Sequence, residues 1–395
     1  MSKCFSVLGY LILCSFLIGW SGCTNPSSPP GPTPQAPDNR SWATLGPAGF
    51  SAGGVSDVSL AVSSTGVLFA AYNDATQGDK VTVQRFNGTA WELVGPAGFG
   101  PIVTSRLALD SADRPTIVFD DPANQTQALA MQFDGAAWQS AGSAAYGGNF
   151  NVFDTSAASG GGNLVAAFSN STTANHNPIV FQRTGTTWTA LTPNPADLFD
   201  QLNYHWSGSL AVDGAGVSYI ATQDHSVNGK ATVMKWTGTN WTRVGPAGFS
   251  QGGVTNGADV FVPALAFDSA NRPYMAYIQD QAGAAKVSVM KFNGTDWALV
   301  GPEGISPVGI ESTNMVIDTL DIPLVSYVHT SGTVWAVEVL KFNGTAWVGT
   351  ASGGVGAVGM TTSVSTAFVR GASGAVYQAF RDHNAGDRLT VMAYR

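Results

Sequence analysis

Seven tryptophans stand in one recurring local setting along the chain, at Trp42, Trp91, Trp138, Trp188, Trp241, Trp297 and Trp347. By residue number their successive separations are 49, 47, 50, 53, 56 and 50. A period of this size marks stacked or radially arranged units, none of which buries its apolar face alone. The repeat therefore constrains the fold before any single residue is considered.

Aligned, the units share one pattern. Lys80 to Phe99 reads KVTVQRFNGTAWELVGPAGF, Lys230 to Phe249 reads KATVMKWTGTNWTRVGPAGF, and Lys286 to Ile305 reads KVSVMKFNGTDWALVGPEGI. Each unit holds four short alternating or apolar runs, the period-2 signature of strands. In the fifth unit they are A (Val262 to Asp268), B (Pro273 to Gln279), C (Lys286 to Phe292) and D (Thr295 to Val300). Between C and D stands Asn-Gly, at Asn87, Asn293 and Asn343, which predicts a type I′ hairpin turn. Asp-Ser-Ala-Asn-type turns join A to B. No segment carries sustained helical periodicity, so the chain reads as all-β.

Four antiparallel strands per unit of about 50 residues is the β-propeller pattern. The repeat opens on a lone D strand at Ser41 to Gly46 and finishes on an A-B-C set ending at Arg388 to Tyr394. Seven D strands match seven A-B-C sets only if the first D strand completes the last blade. The expected fold is a seven-bladed β-propeller over residues 41–395, closed so that no sheet edge is left open. An open β-solenoid is the alternative, but it does not call for this permutation.

The sequence before the ring is of another kind. Met1 to Gly22 has one early charge, Lys3, then an apolar run from Phe5 to Trp20, and reads as a signal peptide. The ending Ser21-Gly22-Cys23 resembles the lipobox of bacterial lipoproteins, although Trp20 replaces the usual aliphatic residue. That resemblance implies lipidation of Cys23; an ordinary cleaved signal is the alternative. The three cysteines are Cys4, Cys14 and Cys23, so removing the leader leaves one and excludes an intramolecular disulfide. Residues 23–40, rich in Pro and Ser, read as an extended tether. Localisation is then exported, at a bacterial outer membrane or cell surface, with the lipid as the only membrane contact.

A net charge of −8 and 11% charged residues argue against a nucleic-acid partner, which calls for a basic face. Nothing points to a cofactor. In a propeller the D–A and B–C connections share one face, and here they read as the longer set, including Gly46 to Ser56 and Asn73 to Asp79, so that face is the expected binding face.

On it, two residues past the strand-B aromatic or its substitute, the units place Asp74, Asp121, Asn170, Asp224, Gln279, His329 and Asp382. These either gather around the axis as a polar or cation-binding ring or cap the B–C turns. His176, His205, His225, His329 and His383 lie near the same face with no metal-type spacing, so no metal site is assigned. The fourth unit replaces GPAGFS with Thr192 to Trp206, bringing Phe199, Tyr204, His205 and Trp206 to the loop face. These aromatics either stack on a sugar or partner or fold over the axis and bury themselves. The periodic tryptophans read as blade packing, each ring between blades and its N–H on a partner. The phenylalanines of GPAGF either pack beside them or line shallow pockets.

No nucleophile elbow, phosphate loop or convergent acid pair is visible, so no catalytic residue is assigned. The Asp-Ser-Ala turns resemble the Asp-boxes of sialidases only faintly, and the WD40 and kelch signatures are missing. The units resemble those of exported bacterial proteins with tandem FNG-[ST]-x-W and VG-x-x-GFS repeats. The layout is also similar to bacterial seven-bladed fucose-binding lectins, whose sugar-site residues do not map onto these loops. Three functions follow as expectations: a tethered, non-enzymatic binder of a glycan or protein, a structural or assembly scaffold of the envelope, and a polysaccharide-active hydrolase or lyase with an axial site.

Overall fold

The computed structural model of the protein describes residues 38–100, 105–121, 127–141, 152–170, 178–191, 209–252, 263–281, 284–331, 334–351, 355–358 and 366–395. Over these the chain forms seven four-stranded antiparallel blades. Blade one is Val55–Val62, Leu68–Asp74, Lys80–Phe86 and Trp91–Leu93, as strands A to D. Blade seven takes A, B and C from Thr366–Arg370, Val376–Asp382 and Arg388–Tyr394, and its D strand is Trp42–Thr44, in register with Tyr394 to Met392. Strand A of each blade touches strand A of the next through all seven steps, so the ring is closed and strand A lies innermost. One further strand, Gly356–Val358, bridges strand C of blade six and strand B of blade seven.

Seven buried apolar clusters occupy the seven interfaces between blades. The cluster joining blades seven and one, for example, combines Leu60, Ala70 and Tyr72 with Ala379, Leu389 and Val391. Every sheet is thus covered on both faces, which is why strand B lacks a polar alternation: all of Leu68–Asp74 is buried, and its first five residues are apolar or aromatic. Each fully buried large side chain contributes about 1.5–3 kcal/mol, and almost all of it is gained between blades.

The tryptophans weld these interfaces. The indole N–H of each donates to the backbone carbonyl three residues past the tryptophan of the preceding blade: Trp91 to Leu45 O at 2.8 Å, Trp138 to Val94 O at 2.7 Å, Trp188 to Ala141 O at 2.9 Å, Trp241 to Leu191 O at 2.6 Å, Trp297 to Val244 O at 2.7 Å and Trp347 to Val300 O at 2.7 Å. Trp42 closes the circle on the side chain instead, donating to Thr350 Oγ1 at 2.8 Å. The glycine after the accepting residue has positive φ, 77° at both Gly46 and Gly95, and a Cβ on Gly95 would lie 2.8 Å from Trp138 Cδ1. Glycine is the residue that combines that backbone with so close an indole. The GPAGF phenylalanine completes the packing, with Phe50, Phe99 and Phe249 stacked on Trp91, Trp138 and Trp297 at centroid distances of 4.2–4.4 Å.

Some local expectations are corrected. Asn87, Asn293 and Asn343 do not take positive φ; only their glycines do. Phe86 pairs with Trp91, leaving a four-residue loop in which Asn87 Oδ1 accepts from the Thr89 and Ala90 amides. The asparagine side chain thus takes the place of a type I′ backbone. The B–C connections are short: residues 75–79, 225–229 and 383–387 in blades one, four and seven, while in blade five strand B runs to Gln281 and strand C starts at Ala284. The D–A connections alone carry the length. Asp38 and Arg40, read as tether, are tied to the ring: Asp38 accepts from Lys341 Nζ at 2.7 Å and Tyr394 OH at 3.0 Å, and Arg40 reaches Asp318 at 3.0 Å. Burial raises the Asp38 carboxyl, but its bonds from Arg40, Lys341 and Tyr394 outweigh this and hold it well below the usual range.

Trp138→Phe keeps a ring in place but leaves the buried Val94 carbonyl without its donor. It is expected to lower unfolding free energy by about 1–3 kcal/mol, read as a lower urea midpoint at unchanged slope; wild-type stability would remove the indole bond from its welding role.

Candidate functional site

The ends of strand B lie under the B–C turns. Strand A, not these residues, surrounds the axis. In blades one, four and seven the position is an N-cap: Asp74 Oδ1 accepts from Thr76 N at 2.9 Å, Asp224 Oδ1 from Ser226 N at 3.0 Å, and Asp382 Oδ1 from Asn384 N at 3.1 Å. Each caps a single 3-10 turn that ends on a left-handed residue, Gly78, Asn228 or Gly386. The second carboxylate oxygen takes the strand-C threonine, Thr232 Oγ1 to Asp224 at 2.9 Å and Thr390 Oγ1 to Asp382 at 2.7 Å. Those threonines in turn accept from the GPAGF glycine amide, Gly248 N and Gly49 N. The serine of GPAGFS serves likewise, Ser250 Oγ accepting from Ala231 N at 3.0 Å. These polar residues therefore fasten the D–A loops leaving blades four and seven to their own blades.

His329 differs. It is nearly buried, its Nε2 lies 3.2 Å from Glu338 Oε1, and Tyr327 OH donates to the other Glu338 oxygen at 2.6 Å. Burial, then Glu338, pushes the Tyr327 hydroxyl far above its ordinary range. Gln279 donates from Nε2 to Glu303 Oε1 at 2.6 Å. Asp121 ends strand B of blade two and Asn170 that of blade three. His225 opens the blade-four turn, and exposed His383 faces Asp387 at 3.3 Å. Among the described residues no three His, Cys, Asp or Glu side chains converge as a metal site would require. Cys23, His176, Phe199, Tyr204, His205 and Trp206 lie outside the described residues.

A cavity opens on the opposite face, where strand A of blades three to seven runs into the A–B turns. It measures about 550 Å³, and its polar lining includes Asp213, Asp268, Asn271, Asp318, Asp321 and Arg370. Each carboxylate is already an acceptor. Asp213 Oδ1 takes the Ala215 and Val217 amides, Asp268 Oδ1 takes Ala270 and Arg272, and Asp318 Oδ1 takes Leu320 and Ile322. Asp321 reaches across to blade five, accepting from Ser269 N and Oγ, each at 2.7 Å. Burial raises the Asp268 carboxyl, but bonds from Arg272 and Lys291 prevail and lower it. Burial, with Asp213 beside it, pushes the nearby Tyr219 hydroxyl up to about 12. Arg370 is exposed, and its guanidinium makes no ion pair or hydrogen bond among the described residues.

Neither the cavity nor Arg370 was singled out in the sequence, although a signal was there. Arg370 pairs with Val376 at the start of strand B, in the register where other units place Val62, Leu109, Val212, Phe267 and Ile317. A charge where five other units carry an apolar residue, and blade three Gly160, marks a residue that the packing does not require.

No family model matches the chain, and no curated protein matches its sequence. Among solved structures it is similar to a polysaccharide lyase, PL25 ulvan lyase, at 10% identity over 87% of this chain and 94% of that one, with a TM-score of 0.55. The same lyase bound to -[GlcA(1-4)Rha3S]- gives 0.54, also at 10% identity, with the same coverage. The Aleuria aurantia lectin in complex with Fucalpha1-6GlcNAc is more distant, at 13% identity over 77% of this chain and 97% of that one, with a TM-score of 0.44. The likeness to the lyase is one of fold alone.

Asp224→Ala distinguishes a cap from a ligand group. It leaves Ser226 N and Thr232 Oγ1 without an acceptor and is expected to cost about 1–2 kcal/mol of stability, seen in urea unfolding; an unchanged midpoint would show that the carboxylate is free for another role.

Proposed function

We propose that this propeller is an exported, lipid-tethered binding protein that holds a glycan at the axial mouth on its A–B face without transforming it. One observation carries the choice of binding over catalysis: every carboxylate lining the described part of that cavity is engaged by backbone amides, hydroxyls or cations. A general acid or base needs a proton to exchange near the working pH and reach to the reacting group. Asp268, held low by two cations, is the opposite of such a group. What the mouth offers instead is a free guanidinium, an amide and fixed acceptors beside Phe267, within the size range of roughly 300–1,000 Å³ typical of ligand sites. That mixture suits the hydroxyls and ring faces of a saccharide. A polysaccharide lyase on the same fold is consistent with it, but at 10% identity only the fold is shared.

The tether reading rests on Ser21-Gly22-Cys23 and on the single cysteine left behind the leader. Two acyl chains on Cys23 would suffice for stable membrane attachment, since each buried methylene contributes about 0.8 kcal/mol.

On a glycan array the protein is expected to give binding that free sugar competes, and Arg370→Ala to weaken it about tenfold or more, the loss of a hydrogen bond to a charged group. Retained binding in Arg370→Ala, with loss in Trp206→Ala, would move the site to the loop face; no binding on any array would favour a scaffold, and product release from a polysaccharide would favour an enzyme. For the anchor, labelled fatty acid should enter the wild-type chain and not Cys23→Ser; equal labelling would reject lipidation at Cys23.

A further inference from the structure

We infer that blade five carries a second ligand site, on the D–A/B–C face, for a single neutral sugar residue. The repeat supplies its own control. In blades four and seven this place is filled by a hydrogen-bonded lock: an aspartate at the end of strand B, a threonine on strand C and a glycine amide from the D–A loop, Asp224–Thr232–Gly248 and Asp382–Thr390–Gly49. Blade five departs at each element around it. Gln279 replaces the aspartate, Ser288 the threonine, Glu303 the alanine of GPAGFS, and a tight B–C hairpin, with Gln281 paired to Ala284, replaces the capped 3-10 turn.

These changes leave a cavity of about 130 Å³ lined by Gln279, Lys286, Ser288, Glu303 and Gly304. The Gln279 amide, 3% exposed, fixes the Glu303 carboxylate through the 2.6 Å bond from its Nε2, while the Gln279 carbonyl oxygen is buried with no hydrogen-bond partner among the described residues. Gly304 N donates to Ser288 Oγ at 3.0 Å, so the floor of the lock survives. The Lys286 stem lies against Gly304, where a Cβ would come within 3.0 Å of its Cδ, and its ammonium makes no ion pair among the described residues. The position thus presents an oriented acceptor and a charged donor with opposite and cancelling charges. Two adjacent hydroxyls match that pair: one donates to Glu303 and the other accepts from Lys286, and charge-assisted bonds of this kind are the strong ones. At about 130 Å³ and open to solvent, the space takes the edge of one sugar ring rather than a longer saccharide. Consensus residues would fill it, which is why the other locked blades do not offer the same site. This site is separate from the axial mouth and does not depend on it.

The test uses the full chain and a panel of methyl glycosides of neutral hexoses, 6-deoxyhexoses and pentoses, read by saturation-transfer NMR and titration. The wild type should bind at least one with millimolar affinity. Gln279→Asp, Ser288→Thr and Glu303→Ala together rebuild the lock and should weaken that binding about tenfold or more, worth about 1.4 kcal/mol, with thermal stability retained; Lys286→Met should do the same without touching the lock. Arg370→Ala should leave it unchanged. The proposal is overturned if no glycoside binds, if the rebuilt lock binds like the wild type, if Arg370→Ala abolishes the signal, or if glycine or alanine binds there in place of the sugars.

Discussion

One hydrogen bond, repeated, sets the terms for the whole ring: an indole N–H from the D strand of one blade to a main-chain carbonyl at the end of the D strand before it. A sheet buried on both faces by apolar side chains has no intrinsic register against its neighbour, because hydrophobic contact is non-directional. The indole bond supplies direction. It fixes the height and the rotation of each blade against the last, and a donor left unpaired inside the interface would cost more than the bond itself contributes. The glycine beside the acceptor and the phenylalanine stacked over the ring follow from that geometry. The motif Trp-x-x-Val-Gly-Pro-x-Gly-Phe-Ser is the written form of one joint.

Once the joint is understood, most of the polar residues on the loop face are accounted for as well. In blades four and seven, aspartate, threonine, glycine and serine form a second, polar fastening that holds the D–A loop to the blade it leaves. Both networks are needed because the D strands are only about three residues long and cannot hold the rim by ladder bonds alone. Among the described groups that neither network explains are Arg370 at the axial mouth, Glu303 and Lys286 in blade five, and the His329, Glu338 and Tyr327 cluster in blade six. A ring whose repeated residues are committed to holding it together must place any selectivity in such departures.

The architecture could be read from the sequence because its cause is periodic. Seven tryptophans, seven strand sets and a displaced first D strand specify blade number and closure without any knowledge of contacts. Local detail was less accessible: the role of Asn87 turns on whether its side chain or its backbone closes the turn, and both choices prefer the same Asn-Gly pair. The strand-B polar positions were visible, and the competing readings of ligand and cap were separated only by distances such as Asp224 to Ser226 N. The axial cavity was not visible, since it is assembled from the ends of five inner strands that are roughly 50 residues apart. Arg370 was detectable only by comparing registers that the strand pairing defines. Glu303 was hidden inside a motif whose other letters are structural.

The seventh blade has a different history from the other six. Its outer strand is made first and its remaining strands last, and the Ser41 and Arg395 amides and carbonyls bond to one another at 3.1 and 3.2 Å. During synthesis, strand Trp42–Thr44 must wait, unpaired, until Arg388–Tyr394 has emerged, a loop closure that spans nearly the entire chain. Six blades stacked in an arc would meanwhile expose the two apolar faces that later form the last interfaces. Of all the strand pairings in the ring, that of Trp42–Thr44 with Arg388–Tyr394 closes the longest loop and carries the largest chain-entropy cost.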